Sequence, residues 1–298
     1  MNIIFMGTPT YAAVILESLL KNHNIKALVC QSDKKSGRSM QLKMPPTKAL
    51  ILNKKLDIPI FQDLNEDTIK SLQNIPCDMI IVAAFGRILS REVLDIAPCI
   101  NLHASILPKF RGASPIQASI LENEKYFGVS VMKMEEGLDC GDILGIKVIK
   151  NTQQNAVELF KQLSHLAAEL ILEFLERIDC VMPLKQRECE SSFCKKIKKE
   201  FGEVVLDNAQ EIVVKSLAYE SWPGIFLKNG LKMRGLILEE MESKNPAGLI
   251  LKVTKEKVLV GTKMGSMWIE FLQSPSKNIV SAYQYLQGKR LKEGDILE

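Results

Sequence analysis

Short apolar runs alternate with amphipathic segments along the first half of the chain. The runs have the length of buried strands, and the segments between them repeat apolar residues at helical spacing. The predicted strands are residues 3–6, 25–30, 79–84 and 99–102. The predicted helices are residues 11–20, 47–56 and 65–72. This alternation predicts an α/β fold with a parallel, Rossmann-like sheet.

The pattern changes in the second half. Residues 154–177 keep a helical period of apolar positions, whereas residues 178–202 are irregular and charged, as in a linker. A helix at 208–219 is followed by short strand-like pieces between Gly, Pro and Asn turns. These pieces are residues 225–227, 231–238, 248–253, 257–261 and 267–272. Five short strands suggest a small barrel, for which an oligonucleotide-binding type and a generic β-domain fit equally well.

The length of the chain also favours two domains, because 298 residues exceed what one hydrophobic core usually organises. We expect a Rossmann-like domain at 1–180, a linker at 181–204 and a smaller C-terminal β-barrel domain at 205–298.

Composition excludes several classes of protein. The net charge of +4 is too small to indicate a nucleic-acid partner without local basic patches. The seven cysteines show no C-x-x-C spacing, so neither a zinc site nor a disulfide framework is indicated. No apolar run reaches the length of a membrane span, and the N-terminus enters a strand rather than a leader. We therefore expect a cytoplasmic protein.

The first strand ends at Gly7-Thr8-Pro9, which lacks the G-x-G-x-x-G fingerprint of dinucleotide binding. This disfavours a dinucleotide-dependent oxidoreductase, which would otherwise suit such a sheet. Open α/β sheets bind ligands outside the carboxyl ends of their strands. We therefore expect Thr8, residues 85–86 and residues 101–103 to border one crevice.

Asn101 and His103 are the clearest candidates for chemistry. They lie two apart on a predicted strand, so the amide and the imidazole share one face. A single strand histidine is more often structural than catalytic, and geometry has to decide. His23 lies in a turn composition and His165 on the polar side of a helix, so histidine chemistry would fall to His103.

Two further segments have both a functional and an ordinary interpretation. Residues 134–142 hold Asp139 in a glycine-flanked acidic turn, which alone is typical of a solvated turn; the spacing does not fit a calcium loop. Residues 34–48 form an acid-free basic loop, which suits a solvated surface or phosphate binding. Its basic residues are Lys34, Lys35, Arg38, Lys43 and Lys48.

Taken together, these segments resemble the methionyl-tRNA formyltransferase family. The resemblance runs in order over nearly the whole chain, and its central segment is specific to folate-dependent formyl transfer. The matching segments are 5–9 (FMGTP), 33–38 (DKKSGR), 83–86 (AAFG), 101–115 (NLHASILPKFRGASP), 136–142 (EGLDCGD) and 221–224 (SWPG). The sequence departs from the commonest family pattern at Phe85, Phe110, Ser114 and Cys140.

The resemblance implies a Rossmann-like formyltransferase domain followed by an oligonucleotide-binding type of barrel. It implies transfer of formyl from 10-formyltetrahydrofolate, as co-substrate and without a metal, to the amino group of initiator methionyl-tRNA. The implied catalytic residues are Asn101, His103 and Asp139. Asn101 and His103 would stabilise the oxyanion, and Asp139 would orient and polarise His103, which would take up the proton directly or through water.

The resemblance also implies binding residues. Those expected to bind the folate are Ala83, Ala84, Phe85, Gly86, Ser105, Leu107, Pro108 and Gly137. Those expected to bind tRNA are Lys34, Lys35, Arg38 and Lys43. No membrane and no obligatory protein partner is indicated, and we expect a monomer.

Other functions share parts of this pattern. A formyltransferase acting on an amino sugar nucleotide or on glycinamide ribonucleotide would use the same Asn, His and Asp set. Deformylation to free formate is a further variant, and a tRNA-binding protein could retain the fold without catalysis. The C-terminal domain and the basic loop favour tRNA as the substrate.

Overall fold

The computed structural model describes residues 1–36 and 41–297. The chain divides into two compact units. The first comprises Met1–Ile116, Lys125–Asn151 and Leu159–Lys195, and the second comprises Gln117–Glu124, Thr152–Glu158 and Lys196–Glu298. The finer division into residues 1–180, 181–204 and 205–298 stays a prediction.

The elements up to Lys195 follow the predicted α/β alternation. The strands are β1 Asn2–Gly7, β2 Asn24–Val29, β3 Lys34–Ser36, β4 Gln41–Lys43, β5 Ile60–Phe61, β6 Met79–Ala83, β7 Cys99–His103, β8 Arg111–Gly112, β9 Tyr126–Lys133, β10 Ile143–Lys150 and β11 Phe193–Cys194. The helices are α1 Thr10–Leu19, α2 Pro46–Asn53, α3 Glu66–Gln73, α4 Arg91–Leu94, α5 Pro115–Leu121 and α6 Ala156–Glu176.

The main sheet has seven strands in the order β10-β9-β7-β6-β1-β2-β5. The five strands from β5 to β7 are parallel, which confirms the Rossmann-like arrangement. Strands β9 and β10, which the sequence pattern did not predict, extend the sheet beyond β7: β9 pairs antiparallel with β7, and β10 pairs antiparallel with β9. Because β9 pairs with β7, the strand that carries Asn101 and His103 is hydrogen-bonded on both sides.

One face of this sheet packs against α3 and α4. The shared core contains alternate residues of β1, β2 and β6 together with Ile69, Leu72 and Val93 of the two helices. Val82 of β6 belongs to this core and is the register partner of Asn101 on β7. Neighbouring register partners point to the same side of a sheet, so Asn101 and, two residues on, His103 project from this face.

Gly7 is needed for close packing rather than for a phosphate. A Cβ at this position would lie 2.6 Å from Cβ of Ala12 on α1 and 2.7 Å from the carbonyl oxygen of Ala83 on β6. Both distances are shorter than a real Cβ tolerates, so α1 approaches the sheet here because position 7 has no side chain. The Gly-Thr-Pro sequence thus has a structural explanation.

Residues 196–297 form an antiparallel sheet and two α-helices. The strands are β12 Ile225–Phe226, β13 Lys232–Glu240, β14 Ile250–Val253, β15 Val258–Gly261, β16 Ser266–Gln273 and β17 Val280–Ser281, and the helices are α7 Ala209–Ala218 and α8 Ala282–Lys289. The sheet order is β12-β13-β16-β15-β14, with β17 also paired to β16. The five predicted strands are confirmed, whereas a closed barrel stays a prediction. In the described part of the chain, no helix is long and apolar enough to cross a membrane.

The exposure of the cysteines predicts an order of thiol reactivity. Cys180 and Cys189 are exposed, whereas Cys30 and Cys99 are buried. Burial raises the pKa of the Cys30 thiol to about 11 and that of Cys99 to about 12, which suppresses the reactive thiolate. In titration with a thiol reagent, Cys180 and Cys189 should react first, and Cys30 and Cys99 only after denaturation.

The double variant Cys180→Ser/Cys189→Ser is the matched control and should lose the fast phase. Cys77, Cys140 and Cys194 are partly exposed and should react at intermediate rates, and reaction of all five remaining thiols without denaturant would contradict the burial of Cys30 and Cys99.

Candidate active site

Asn101 and His103 lie on the central part of the mixed sheet with little access to solvent. Asn101 is 9% exposed and His103 5% exposed. Strand β7 is held by β6 through Val82 and by β9 through Met132 and Ser130, the register partners of Asn101 and His103. The backbone of both residues is therefore fixed, and their side chains are presented in a defined direction.

Asp139 reaches the same place from the loop that joins β9 to β10. Met134, at the start of this loop, packs against the core on the face that carries Asn101 and His103. Asp139 itself has a left-handed backbone with φ of 49°, and its side chain is 15% exposed. The loop thus folds over the sheet and brings a carboxylate to the two strand residues.

The three side chains meet at the Asp139 carboxylate. Asn101 Nδ2 donates to Asp139 Oδ1 at 3.4 Å, and His103 Nδ1 lies 3.6 Å from Asp139 Oδ2. The backbone N–H of Gly112 donates to the same Oδ2 at 2.8 Å. The structure therefore brings together the three residues predicted to be catalytic, around an acceptor that has two hydrogen-bond donors.

The other nitrogen of His103 is also engaged. Nε2 lies 2.9 Å from the backbone carbonyl oxygen of Phe110. A carbonyl oxygen can only accept, so the hydrogen is assigned to Nε2. Nδ1 is then the position where the ring can take up a proton, and it faces the carboxylate of Asp139. Because the contact uses the backbone of Phe110, its side chain type does not alter it.

Residues 184–194, within the segment that the sequence pattern indicated as a linker, contribute to this site. β11 pairs in parallel with β8. Phe110 N donates to Ser192 Oγ at 2.9 Å, and Arg111 N donates to the carbonyl oxygen of Ser192 at 2.8 Å. We call residues 184–194 the strap, because they hold the loop that supplies the Phe110 carbonyl and the Gly112 amide.

The buried side chain of Arg111 connects the loop at 110–112 to the strap. This side chain is 2% exposed; Nε donates to Gln186 Oε1 at 3.0 Å, and the two terminal nitrogens donate to Glu188 at 3.0 and 2.9 Å. These hydrogen bonds lower the pKa of the exposed Glu188 carboxyl. The guanidinium is thus paired in spite of its burial, as a buried charge requires.

Two of the segments predicted to bind folate border the cluster. Ala83 ends β6, and the turn that follows has left-handed backbone at Ala84 and Gly86, with Phe85 buried between them. Gly137 lies in the Asp139 loop with φ of 130°. Arg91 Nη1, at the start of α4, lies 3.8 Å from Glu136 Oε1 in the Asp139 loop.

The remaining folate positions lie in the loop after β7. The hydroxyl of Ser105 donates to the carbonyl oxygen of Lys109, and the amide of Leu107 donates to the hydroxyl of Ser130. Pro108 follows a cis peptide bond, and Leu107 packs in a small core with Met132. The side chain of Ser105 and the backbone of Leu107 thus shape the loop, and their contact with folate stays a prediction.

The predicted basic loop is in part a β-hairpin. Lys34 and Lys43 are register partners on β3 and β4, and both are exposed; Lys35 lies opposite Leu42. Arg38 lies outside the described residues. Lys48 is on α2 and forms an ion pair with Asp33 at 2.8 Å, so its charge is compensated.

Gln31 and Gln186 are contributors that the sequence pattern did not indicate. Gln31 follows β2; its backbone amide donates to Thr8 Oγ1 at 3.1 Å and its side chain donates to the carbonyl oxygen of Phe85 at 3.1 Å. The ends of β1, β2 and β6 are thereby joined, as expected for Thr8 and residues 85–86. Neither glutamine belongs to a motif, so nothing in the sequence pattern indicates that they lie near the site.

Among the described residues, no group of three or more His, Cys, Asp or Glu side chains is arranged to hold a metal ion. The donors of the cluster are the amide nitrogens of Asn101 and Gly112, a kind of donor that suits an oxygen with negative charge.

Comparison with protein families matches both halves of the chain. Residues 1–175 match the family model described as formyl transferase, and residues 196–290 match the model described as formyl transferase, C-terminal domain.

Curated proteins match over the full length. A methionyl-tRNA formyltransferase of Campylobacter lari is 48% identical over 99% of this chain and 99% of its own. Those of Nitratiruptor sp. and Helicobacter acinonychis are 45% and 44% identical, over 99% and 100% of both chains.

Solved structures of much lower sequence identity share the fold. WlaRD, a sugar 3N-formyl transferase, aligns with a TM-score of 0.70 and 20% identity over 93% of this chain and 99% of its own. HypX from Aquifex aeolicus, in complex with tetrahydrofolic acid, aligns with a TM-score of 0.66 and 19% identity; the alignment covers 99% of this chain but 49% of HypX.

The close approach of the strap to Gly112 predicts a stability effect. Gly112 has φ of 120°, and a Cβ there would overlap the carbonyl oxygen of Cys194. Gly112→Ala should therefore lower the free energy of unfolding by more than about 2 kcal/mol. Thermal unfolding should show a midpoint lower by roughly 4 °C or more.

Gly145→Ala on β10 is the control in the same unit, because its Cβ would be in ordinary contact with Leu170. It should be neutral or slightly stabilising. Equal midpoints for the two variants would contradict the packing of the strap on Gly112.

Proposed function

Because the chain belongs to the formyl transferase family, we propose that it transfers the formyl group of 10-formyltetrahydrofolate to the amino group of initiator methionyl-tRNA. The observation that carries this proposal is the cluster of Asn101, His103 and Asp139, in a chain whose relatives are methionyl-tRNA formyltransferases over their full length. Amine attack on the formyl carbon needs an oxyanion donor and a proton acceptor, and the cluster contains both.

Asn101 is the donor for the oxygen of the formyl group. Its amide nitrogen carries two hydrogens, and one is directed to Asp139 Oδ1. The second can be donated to the negative charge that develops on the formyl oxygen. Burial of Asn101 strengthens this interaction, because a hydrogen bond to charge is worth more where water is excluded.

His103 is the group that takes the proton from the attacking amine, directly or through one water. The Phe110 carbonyl fixes the ring and its tautomer, so Nδ1 is the accepting atom. Asp139 Oδ2, at 3.6 Å, stabilises the positive charge that the ring then acquires. When the bond between the formyl carbon and the folate nitrogen breaks, the protonated Nδ1 can return this proton to the departing nitrogen. Asp139 thus orients Asn101 and compensates His103.

The folate supplies the formyl group, and the residues around the cluster fit such a ligand. Ala84, Gly86 and Gly137 are exposed, so their backbone polar groups are available to a ligand. A pterin ring is flat and carries several donors and acceptors, which backbone N–H and C=O groups can bind. Ala83, Ser105, Leu107 and Pro108 complete the proposed binding set.

The hairpin of β3 and β4 is the proposed contact with tRNA. Lys34 and Lys43 are directly opposite each other, and like charges in this position are unfavourable without an opposite charge nearby; the partner of Lys34 Nζ is the neutral amide of Gln31. Phosphates would compensate both lysines. Lys35 and Arg38, on the same segment, belong to the proposed contact set. We propose that the protein is cytoplasmic, because its proposed acceptor is a tRNA, and that it is a monomer.

The test of the function is single-turnover formylation with 10-formyltetrahydrofolate. The wild-type protein should formylate initiator methionyl-tRNA and leave elongator methionyl-tRNA largely unmodified. His103→Ala should lower the rate by about 10²- to 10⁴-fold, the contribution usual for a proton-transfer group, in a protein that still unfolds cooperatively.

An amino sugar nucleotide and a reaction without acceptor are the controls. Transfer to the sugar or release of free formate, with none to tRNA, would exclude the proposed acceptor. A His103→Ala variant with wild-type turnover would exclude the proposed role of the ring.

The hairpin predicts a salt-dependent effect confined to tRNA. Lys34→Ala/Lys43→Ala should weaken tRNA binding and reduce the salt dependence of log K by about 2, roughly 1 for each phosphate that no longer has a lysine partner. The KM for folate should stay unchanged. Titration of tRNA at several salt concentrations measures the slope, and Arg38→Ala can be compared in the same series.

Lys70→Ala, an exposed lysine on α3, is the matched control for loss of charge and should keep the wild-type slope. Equal losses for tRNA and folate in the hairpin variant would refute the assignment.

A further inference from the structure

Gln186 is a buried polar residue with no place in the roles described above. It is 6% exposed and lies on the strap. Its Nε2 donates to the backbone carbonyl oxygen of Asp139 at 2.9 Å and to that of Gly141 at 2.6 Å. One amide group thus binds the Asp139 loop at two points, on either side of Cys140.

The Asp139 loop needs such support. Asp139 has a left-handed backbone, which is uncommon for a residue with a side chain. A residue in such a conformation persists when its surroundings determine it. The two bonds from Gln186 fix the carbonyl groups that define the turn, and with them the direction of the carboxylate.

Gln186 is itself fixed by Arg111. The guanidinium donates through Nε to Gln186 Oε1 and through both terminal nitrogens to Glu188. This contact orients the amide of Gln186, because its oxygen must face Arg111 and its nitrogen must face the loop. The chain of contacts therefore runs from Arg111 through Gln186 to the backbone of Asp139.

The same segment fixes the other partners of the cluster. Gly112, which donates to Asp139 Oδ2, follows Arg111 directly, and Phe110, which accepts from His103, precedes it. A shift of Arg111 or Gln186 would thus change the distance from Asp139 to His103 and to Asn101 together. Misplacement of a catalytic group by about 1 Å can cost on the order of 100-fold in rate.

We propose that Gln186, oriented by the buried Arg111, is a positioning residue that holds the Asp139 carboxylate at the right distance from Asn101 and His103. This inference rests on the proposed function, because it assigns Gln186 a part in formyl transfer. Gln186 does not touch the reacting atoms in this role; it acts through the backbone of Asp139.

The test uses two variants of similar size in the full-length protein. Gln186→Met removes both the acceptor for Arg111 and the donor to the loop. Gln186→Glu keeps the acceptor but removes the donor. Both should lower kcat for formyl transfer by about 10- to 100-fold, with the KM for folate unchanged. Arg187→Ala is the matched control, because the Arg187 side chain is 77% exposed and pairs with Glu190 on the strap; it should keep wild-type kcat.

A spectroscopic measurement separates positioning from general stability. The chain has three histidines, and His103→Ala identifies the ring signal of His103 in NMR spectra. In both Gln186 variants this signal should move, because the carboxylate near the ring is displaced. It should stay in place in Arg187→Ala.

Either of two results would overturn the proposal. One is wild-type kcat in a folded Gln186→Glu variant, and the other is an unmoved His103 signal in that variant. If Gln186→Met does not fold, Gln186→Glu decides alone. If the wild-type protein formylates no tRNA, the proposed function fails, whereas the ring signal, which needs no substrate, still tests the positioning of Asp139.

Discussion

The constraint on which the site depends is the placement of one carboxylate. Asp139 is mostly buried and lies on a turn with left-handed backbone, where a negative charge is stable only if donors surround it. Two donors reach it from different parts of the chain, the side chain of Asn101 on a strand and the backbone amide of Gly112 in a loop, and the ring of His103 lies 3.6 Å away. The strand, the loop and the strap that fixes the loop therefore all have to be in place before the Asp139 carboxylate can be buried at low cost.

Much of the sheet could be predicted because its residues have a strong local signal. The apolar run that forms β7 is periodic, and the common face of Asn101 and His103 follows from strand geometry alone. Some elements that the prediction missed carry local signals as well. α8 begins with the capping box Ser281-Ala-Tyr-Gln284, and β9 is a largely buried run of eight residues.

The rest depends on contacts between residues far apart in sequence. Asp139 entered the site only through the family resemblance, since an acidic turn between glycines has no local mark of catalysis. The strap is polar and aperiodic, so its pairing with Arg111 and Gly112 leaves no trace in hydrophobic patterning. Its order comes from hydrogen bonds to a loop about 80 positions earlier.

This separation has a consequence for the order of folding during synthesis. The parallel sheet and its helices can form from the first half of the chain, since domains fold as the N-terminal part is made. The loop at 110–112, however, acquires its partners only when Gln186, Glu188 and Ser192 have left the ribosome. A nascent chain that ends before Gln186 would carry Asn101 and His103 on a formed sheet. Its loop at 110–112, which contacts both His103 and Asp139, would not yet be fixed. The enzyme is therefore completed by some of the last residues of its first unit.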